Sequence, residues 1–215
     1  MWPLFGLEVA TPRLLLRYVD DDLASQLARL AARGIHDPAF MPFAQPWTDV
    51  ASPQLERNTL QWYWRCRAET APGHFHLAFA VLVDDEVVGT TSIGATDFGV
   101  LRQFESGSWL GRAFQGRGLG TEMRLATLQL GFEGLGAELA TTSAFSDNGP
   151  SLGVTRRLGY MAAGTARLMR RGEVADSLRF QMAFDDWRDR LRRPDIEIRG
   201  LPACRDVLGV DEQRR

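Results

Sequence analysis

Residues Gln115–Thr121 read Gln-Gly-Arg-Gly-Leu-Gly-Thr, with glycine at every second position and an arginine between the first two glycines. Glycine lets the backbone turn with its N–H groups facing outward, and a helix beginning there adds unsatisfied donors and a positive dipole end. Such a loop suits a phosphate or diphosphate, and Arg112 and Arg117 supply cations beside it. A tight turn at a helix start would use the same glycines. The chain contains no lysine, its twenty-five basic residues all being arginine. That excludes the lysine-dependent phosphate loop and any Schiff-base chemistry. The GxGxG spacing, past the middle of the chain, also differs from the dinucleotide fingerprint that follows a first strand.

Other reactive side chains are spaced less tellingly. Glu105, Gly107 and Trp109 alternate, so on a strand they share one face. His74 and His76 share a face too, but no third ligand is placed by spacing, and no metal site is expected. Cys66 and Cys204 form no CxxC pair and read as reduced thiols. Asp97 reads as a loop aspartate, and the Trp62-Tyr63-Trp64 group as core or substrate wall.

These residues sit in a chain of 215, enough for one self-sufficient core. With 25 basic and 27 acidic residues, the net charge of −2 argues against a general nucleic-acid binder. The N-terminal Met1-Trp2-Pro3-Leu4-Phe5 lacks the basic start of a signal peptide. The longest strongly apolar run, Leu77–Val83, falls far short of the roughly 20 residues of a membrane span. A soluble, cytoplasmic protein with no membrane partner is the expectation.

The elements that must position the loop follow from apolar spacing and turn residues. Arg13–Arg17 reads as a first strand, and Asp20, Asp21 or Asp22 caps a helix over Leu23–Arg33. A proline-punctuated apolar loop, Asp37–Thr48, follows; a loop of that kind usually lines something. Ser52-Pro53 starts a second helix with Leu55, Thr59, Trp62 and Cys66 on one face. Strands Phe75–Val83 and Glu86–Ile93 flank an Asp84-Asp85 turn, and a third strand covers about Phe104–Leu110. After the glycine loop come a helix, a strand over Glu138–Phe145, a short helix over Ser151–Leu158, and strands over Tyr160–Arg170 and Leu178–Phe184. This order predicts an α+β (mixed α/β) fold. From Asp185 to Arg215 sixteen of thirty-one residues are charged, which reads as a solvated C-terminal extension (185–215) to a domain over 1–184. The other use of that segment is an oligomer contact through Trp187, Leu191, Ile196 and Ile198, giving a homodimer or higher homo-oligomer.

Gln115-x-x-Gly118-x-Gly120 resembles the coenzyme A loop of the GCN5-related N-acyltransferases (GNAT). Thr11-Pro12-Arg13-Leu14-x-Leu16-Arg17, Glu105-Ser106-Gly107-Ser108-Trp109-Leu110-Gly111, and Asn148-Gly149-Pro150-Ser151 followed by Arg156-Arg157-Leu158-Gly159-Tyr160 resemble motifs of its RimJ/RimL-like branch. The four motifs occur in that family's order over about residues 8–184. The opening Trp-Pro-Leu-Phe and Met41-Pro42-Phe43-x-x-Pro46-Trp47-Thr48 are most similar to actinobacterial members.

The resemblance implies a mostly antiparallel, splayed sheet flanked by helices. Acyl-CoA would lie between the Glu105 strand and the Glu138–Phe145 strand. The family pattern puts the pyrophosphate on the loop Gln115, Arg117, Gly118, Leu119, Gly120 and Thr121, with Asn148 on the pantetheine amide. It places an oxyanion near the backbone of Trp109 and Leu110. Glu105 would remove the proton of a primary amine, and Ser151 would serve the leaving thiolate, because the tyrosine many relatives carry in that helix is Thr155 here. Phe43, Trp47 and Trp62 would wall the acceptor, a small-molecule amine or a protein N-terminal amine. The donor would be acetyl-CoA or another acyl-CoA such as succinyl-CoA, with Arg65, Arg67 or Arg102 available for a succinyl carboxylate. A non-catalytic acyl-CoA sensor is the alternative, and a dinucleotide oxidoreductase the more distant one.

Overall fold

The computed structural model describes residues 2–210. Its elements run β1 (Glu8–Ala10), β2 (Leu15–Tyr18), α1 (Asp21–Ala32), α2 (Gln54–Ala68), β3 (Phe75–Val83), β4 (Glu86–Ala95), the short α3 (Phe98–Leu101) and β5 (Gln103–Leu110). They continue through α4 (Leu119–Gln129), β6 (Leu139–Phe145), α5 (Gly149–Arg157), β7 (Met161–Arg170), β8 (Glu173–Ala183), α6 (Phe184–Arg190), β9 (Glu197–Arg199) and α7 (Arg205–Leu208). The nine strands form one sheet in the order β7-β8-β6-β5-β4-β3-β2-β1-β9, flanked by helices. Every pairing is antiparallel except β5 with β6. This is the splayed α+β architecture expected.

β3 is apolar from Leu77 to Val83 because both its faces are covered. Leu77, Phe79 and Val81 enter the main core with α4, whereas Ala78, Ala80 and Leu82 enter a second core with α1 and Tyr63. The β3–β4 turn uses Asp84 and Asp85 at φ 47° and 63°, the doubly positive geometry that matches strand twist in a two-residue hairpin. α1 begins where Asp20 accepts a hydrogen bond from the Leu23 N–H at 2.8 Å, and buries Leu23, Leu27, Leu30 and Ala31.

Three local expectations are corrected. Arg13 lies in a turn before β2 rather than in the strand, because Thr11 bonds Leu14 there and an extra strand, β1, precedes it. α2 starts at Gln54 with Pro53 at its cap position, while the Ser52 hydroxyl donates to the Glu56 carboxylate instead of capping. Its buried stripe is Leu55, Thr59, Tyr63 and Cys66, so Tyr63 takes the place expected of Trp62.

The largest correction concerns the C-terminal segment, which packs against the domain. Trp187 on α6 is 1% exposed and stacks on Phe132 at 5.2 Å. β9 pairs with β1 through Ile198 and Val9, and Leu201, Cys204, Leu208 and Val210 enter the main core. The charges that dominate its composition sit outside in short-range pairs, such as Arg188 with Asp185 at 2.7 Å. Residues 211–215 of the expected extension lie outside the described residues.

Candidate active site

The centre of the sheet opens between its two parallel strands. Gln103, Phe104 and Glu105 of β5 pair with Leu139, Ala140 and Thr141 of β6, and pairing stops there. Beyond it, Ser106–Leu110 continue as ladder partners of β4 alone and Thr142–Phe145 of β8 alone. The Thr142 hydroxyl donates to the Ser106 carbonyl at 3.0 Å in the crotch of the fork. The facing edge of β5 is thereby left to a ligand, which can pair with it as an added strand does. Behind the fork, the Arg124 side chain is buried on α4 with Ser106 Oγ 3.4 Å away and the Tyr160 ring beneath it.

Past the end of β5 the chain enters the glycine loop. Gly116 and Gly118 adopt φ 75° and 79°, a left-handed conformation that L side chains rarely take. Gly118 is the cap residue of α4, so the N–H groups of Leu119 and Gly120 have no carbonyl one turn earlier to meet. A Cβ on Gly120 would meet only Leu110 Cδ1 at 3.8 Å and Val154 Cγ2 at 3.9 Å, ordinary contacts that leave this backbone open. The Thr121 N–H, expected on the phosphate, already donates to the Gly118 carbonyl at 3.2 Å. The Leu119 side chain is buried in the core. Gln115 acts from behind: its amide donates to the carbonyls of Leu110 and Ile35, both at 2.8 Å, and so fixes the loop to β5. This loop, the helix start and the free edge of β5 fit coenzyme A.

The loop is also tied to the start of the chain, a link that sequence reading missed. Glu122, buried in the first turn of α4, accepts from the Thr11 hydroxyl at 2.6 Å, Arg13 N–H at 3.1 Å and Arg13 Nε at 2.6 Å. Arg13 Nη1 donates onward to the Arg117 carbonyl at 3.3 Å. Burial alone would raise the Glu122 carboxyl, but these hydrogen bonds and the Arg13 charge outweigh it and hold the group below its ordinary value. The Thr-x-Arg spacing was the available signal; its partner lies 109 residues away from Arg13.

Glu105 is exposed on the face opposite α4, at the last rung before the fork. It lines a cleft of about 360 Å³ with Gln103, Thr141, Ser143, Leu168 and Arg179. On the same face Trp109 contacts Trp47 at 6.1 Å, and Trp47 contacts Phe43 at 5.4 Å, which brings the proline-rich loop to β5. Trp62 is 39% exposed with its ring edge-on to His76 at 5.1 Å, and His76 lies on the same row of the sheet as Glu105 with Gly94 between them. Burial lowers His76, partly offset by Glu69. Among the described residues no group of three or more His, Cys, Asp or Glu is arranged for a metal ion.

The hairpin tip between β7 and β8 holds the far side of the proline-rich loop. Arg170 makes a two-pronged pair with Asp147 at 2.8 and 2.7 Å, reaches the Met41 carbonyl at 3.3 Å, and lies 4.5 Å from the Phe145 ring centre. Arg171 binds the Asp49 carboxylate, with Nε at 2.7 Å, and the Pro38 carbonyl at 3.0 Å. Of the arginines considered for an acyl carboxylate, Arg67 is committed to Asp21 at 3.1 Å and the Val19 carbonyl at 3.2 Å.

Asn148 caps α5, its Oδ1 accepting from the Ser151 N–H at 3.3 Å. Its amide N–H groups and the Ser151 hydroxyl make no hydrogen bond among the described residues, so both remain available as donors. Thr155 is buried. A larger groove of about 610 Å³ between α1 and the start of β4 touches none of these residues. Among the described residues no helix is long and apolar enough to cross a membrane.

Residues 13–161 match the family model described as acetyltransferase (GNAT) domain. The chain is similar to RimL, a ribosomal L7/L12 alpha-N-protein acetyltransferase solved with coenzyme A, at 18% identity and TM-score 0.69, over 82% of this chain and 97% of that one. It is similar to a GCN5-related N-acetyltransferase from Brucella melitensis at 20% identity and TM-score 0.68, over 87% of this chain and 83% of the other. A GNAT-family acetyltransferase from Bacillus anthracis aligns at 16% identity and TM-score 0.66, over 83% and 99% of the two chains. At these identities the structures speak for the fold, while the family match covers most of the chain: this protein belongs to the GNAT acetyltransferase family.

Proposed function

We propose that the protein moves an acetyl group from acetyl-CoA to a primary amine by direct attack, with Glu105 as base and Ser151 as the hydroxyl serving the thiolate. The observation that carries this reading is the fork itself. β5 and β6 separate immediately after Glu105, and the free edge of β5 leads to the glycine loop at the start of α4. Coenzyme A supplies the acyl group as a thioester. Gly118, Leu119 and Gly120 hold its pyrophosphate through backbone N–H groups, and the Asn148 amide donates to the pantetheine arm.

An alkyl amine is protonated near neutral pH and has no free pair with which to attack. Glu105, exposed in the cleft, takes that proton directly or through one water. The amine nitrogen then forms the C–N bond as the C–S bond breaks, its surplus proton passes to the departing sulfur to give the free thiol of coenzyme A, and the Ser151 hydroxyl donates a hydrogen bond to that sulfur as it leaves. Acetyl is the acyl group proposed; of the three arginines considered for a succinyl carboxylate, Arg67 is already bound to Asp21 and the Val19 carbonyl. The acceptor is a small amine or a protein N-terminus; RimL acts on the latter.

Isothermal titration with acetyl-CoA, succinyl-CoA and a nicotinamide dinucleotide, followed by a thiol-release assay with a panel of amines, tests the reading. Acetyl-CoA binding with amine-dependent thiol release is expected. Binding without release from any amine would favour the non-catalytic sensor, and preference for the dinucleotide would overturn the assignment.

A further inference from the structure

The cleft in front of the fork has an uneven charge pattern. Its two charged lining residues are Glu105 and Arg179, set in a floor that includes Gln103, Thr141 and Ser143. The neighbouring arginines at the hairpin tip are paired, Arg170 with Asp147 and Arg171 with Asp49. Arg179 has no hydrogen bond or ion pair among the described residues, and Glu105 has none from its side chain. The two do not neutralise each other.

The sheet register says where they stand. Glu105 is opposite Thr141, and Arg179 is opposite Ser143, two residues further along β6 and on the next strand, β8. Standard sheet spacings put the two backbones about 12 Å apart. Their side chains therefore project from the same face of the sheet with a space of small-molecule size between them. Arg179 also lies on the side towards which β5 and β6 diverge, past the rung where Glu105 ends the pairing. The gap between the two charges is where a bond to the acceptor amine would form.

We propose that the acceptor is an amine carrying a carboxylate within the span of an amino acid, its nitrogen at Glu105 and its carboxylate on Arg179. This rests on the transferase reading and names the substrate class for that site. An arginine fork matches a carboxylate with two parallel hydrogen bonds, which fixes orientation as well as charge. A cleft of about 360 Å³ admits a free amino acid or the first residue of a peptide, and little more. A neutral amine gains nothing from Arg179 and leaves that guanidinium with water.

The test uses the full chain with acetyl-CoA and follows thiol release, with rates compared per unprotonated amine. One arm sets free α-amino acids against their α-amides; the other sets peptides beginning with Glu against peptides beginning with Gln. The arm that discriminates identifies whether the carboxylate belongs to a free amino acid or to an acidic N-terminal residue. In that arm the acid is expected to show kcat/KM higher by at least about tenfold. Arg179→Gln removes the discrimination by raising KM for the acid while acetyl-CoA affinity stays within about twofold, and Arg179→Lys restores part of it because the charge returns without the fork. Equal use of acid and amide in both arms overturns the proposal while leaving the transferase reading intact. An equal loss for acid and amide in Arg179→Gln overturns it as well, since Arg179 would then serve the coenzyme or the fold. Absence of thiol release with every amine removes the transferase reading, and this proposal with it.

Discussion

Arg13, in the turn before β2, holds Glu122 in the first turn of α4 through its Nε and Nη2 atoms, each 2.6 Å from the same carboxylate oxygen. The pair joins the turn before β2 to the helix that opens at the glycine loop. Arg13 also bonds the Arg117 carbonyl, so one side chain sets both the loop and the helix that follows it.

Loosening this clamp is expected to act on the coenzyme site. Arg13→Ala should weaken acetyl-CoA binding by about tenfold, the loss of a charge-assisted hydrogen bond that orients the loop. Titration calorimetry reads the affinity. An unchanged affinity would show that the glycine loop holds its shape alone.

The same carboxylate gives a signed pH dependence. The Glu122 carboxyl is held below its ordinary value in the folded protein, so its contribution to stability is present above the unfolded value of about 4.3. That contribution disappears as pH falls through the lower folded value. Glu122→Gln should therefore be less stable than the parent at pH 7, with the difference shrinking below about pH 4. Urea midpoints across this range check the sign.

Gly118 and Gly120 should separate stability from binding. Gly118 has φ 79°, so Gly118→Ala strains the fold by about 1 kcal/mol whatever binds there. Gly120 has ordinary backbone and room for a Cβ, so Gly120→Ala should melt within a few degrees of the parent yet bind acetyl-CoA at least about tenfold more weakly. Paired melting and binding curves test the split.

Glu105→Gln should lower turnover by about a hundredfold near pH 7, the range of general-base catalysis. The deficit should shrink at alkaline pH, where the amine loses its proton to water. Ser151→Ala should instead lower turnover most with poor thiol leaving groups, by about tenfold, and leave stability unchanged because the hydroxyl makes no hydrogen bond among the described residues. Asn148→Ala removes the α5 cap and should cost about 1 kcal/mol of stability as well. Equal pH profiles for Glu105→Gln and the parent would remove Glu105 from the base role.

Trp187→Ala should destabilise the protein by about 3–5 kcal/mol, the usual cost of emptying a buried aromatic site. A solvated extension would tolerate the change within about 0.5 kcal/mol. Chemical denaturation decides between these values.

What the sequence alone determined was local. The glycine spacing of Gln115–Gly120, the alternation of Glu105, Gly107 and Trp109, and the capped helix after Asp20 follow from backbone sterics and side-chain period within a few residues. Tyr63 and Trp62 show the limit of that logic: on α2 both are aromatic neighbours, and only the position of β3 decides which one is buried. Trp187 was hidden differently, since a composition rich in charge averages over a helix whose two aromatic residues, Phe184 and Trp187, both meet Phe132. Tertiary structure alone decided that β5 and β6 lie side by side and part after Glu105, that Arg13 meets Glu122, and that Arg179 stands across the cleft from Glu105. Each of these joins residues dozens of positions apart. Strand order and register set such meetings, and they in turn depend on how the whole chain buries its apolar faces, which no short window of sequence contains.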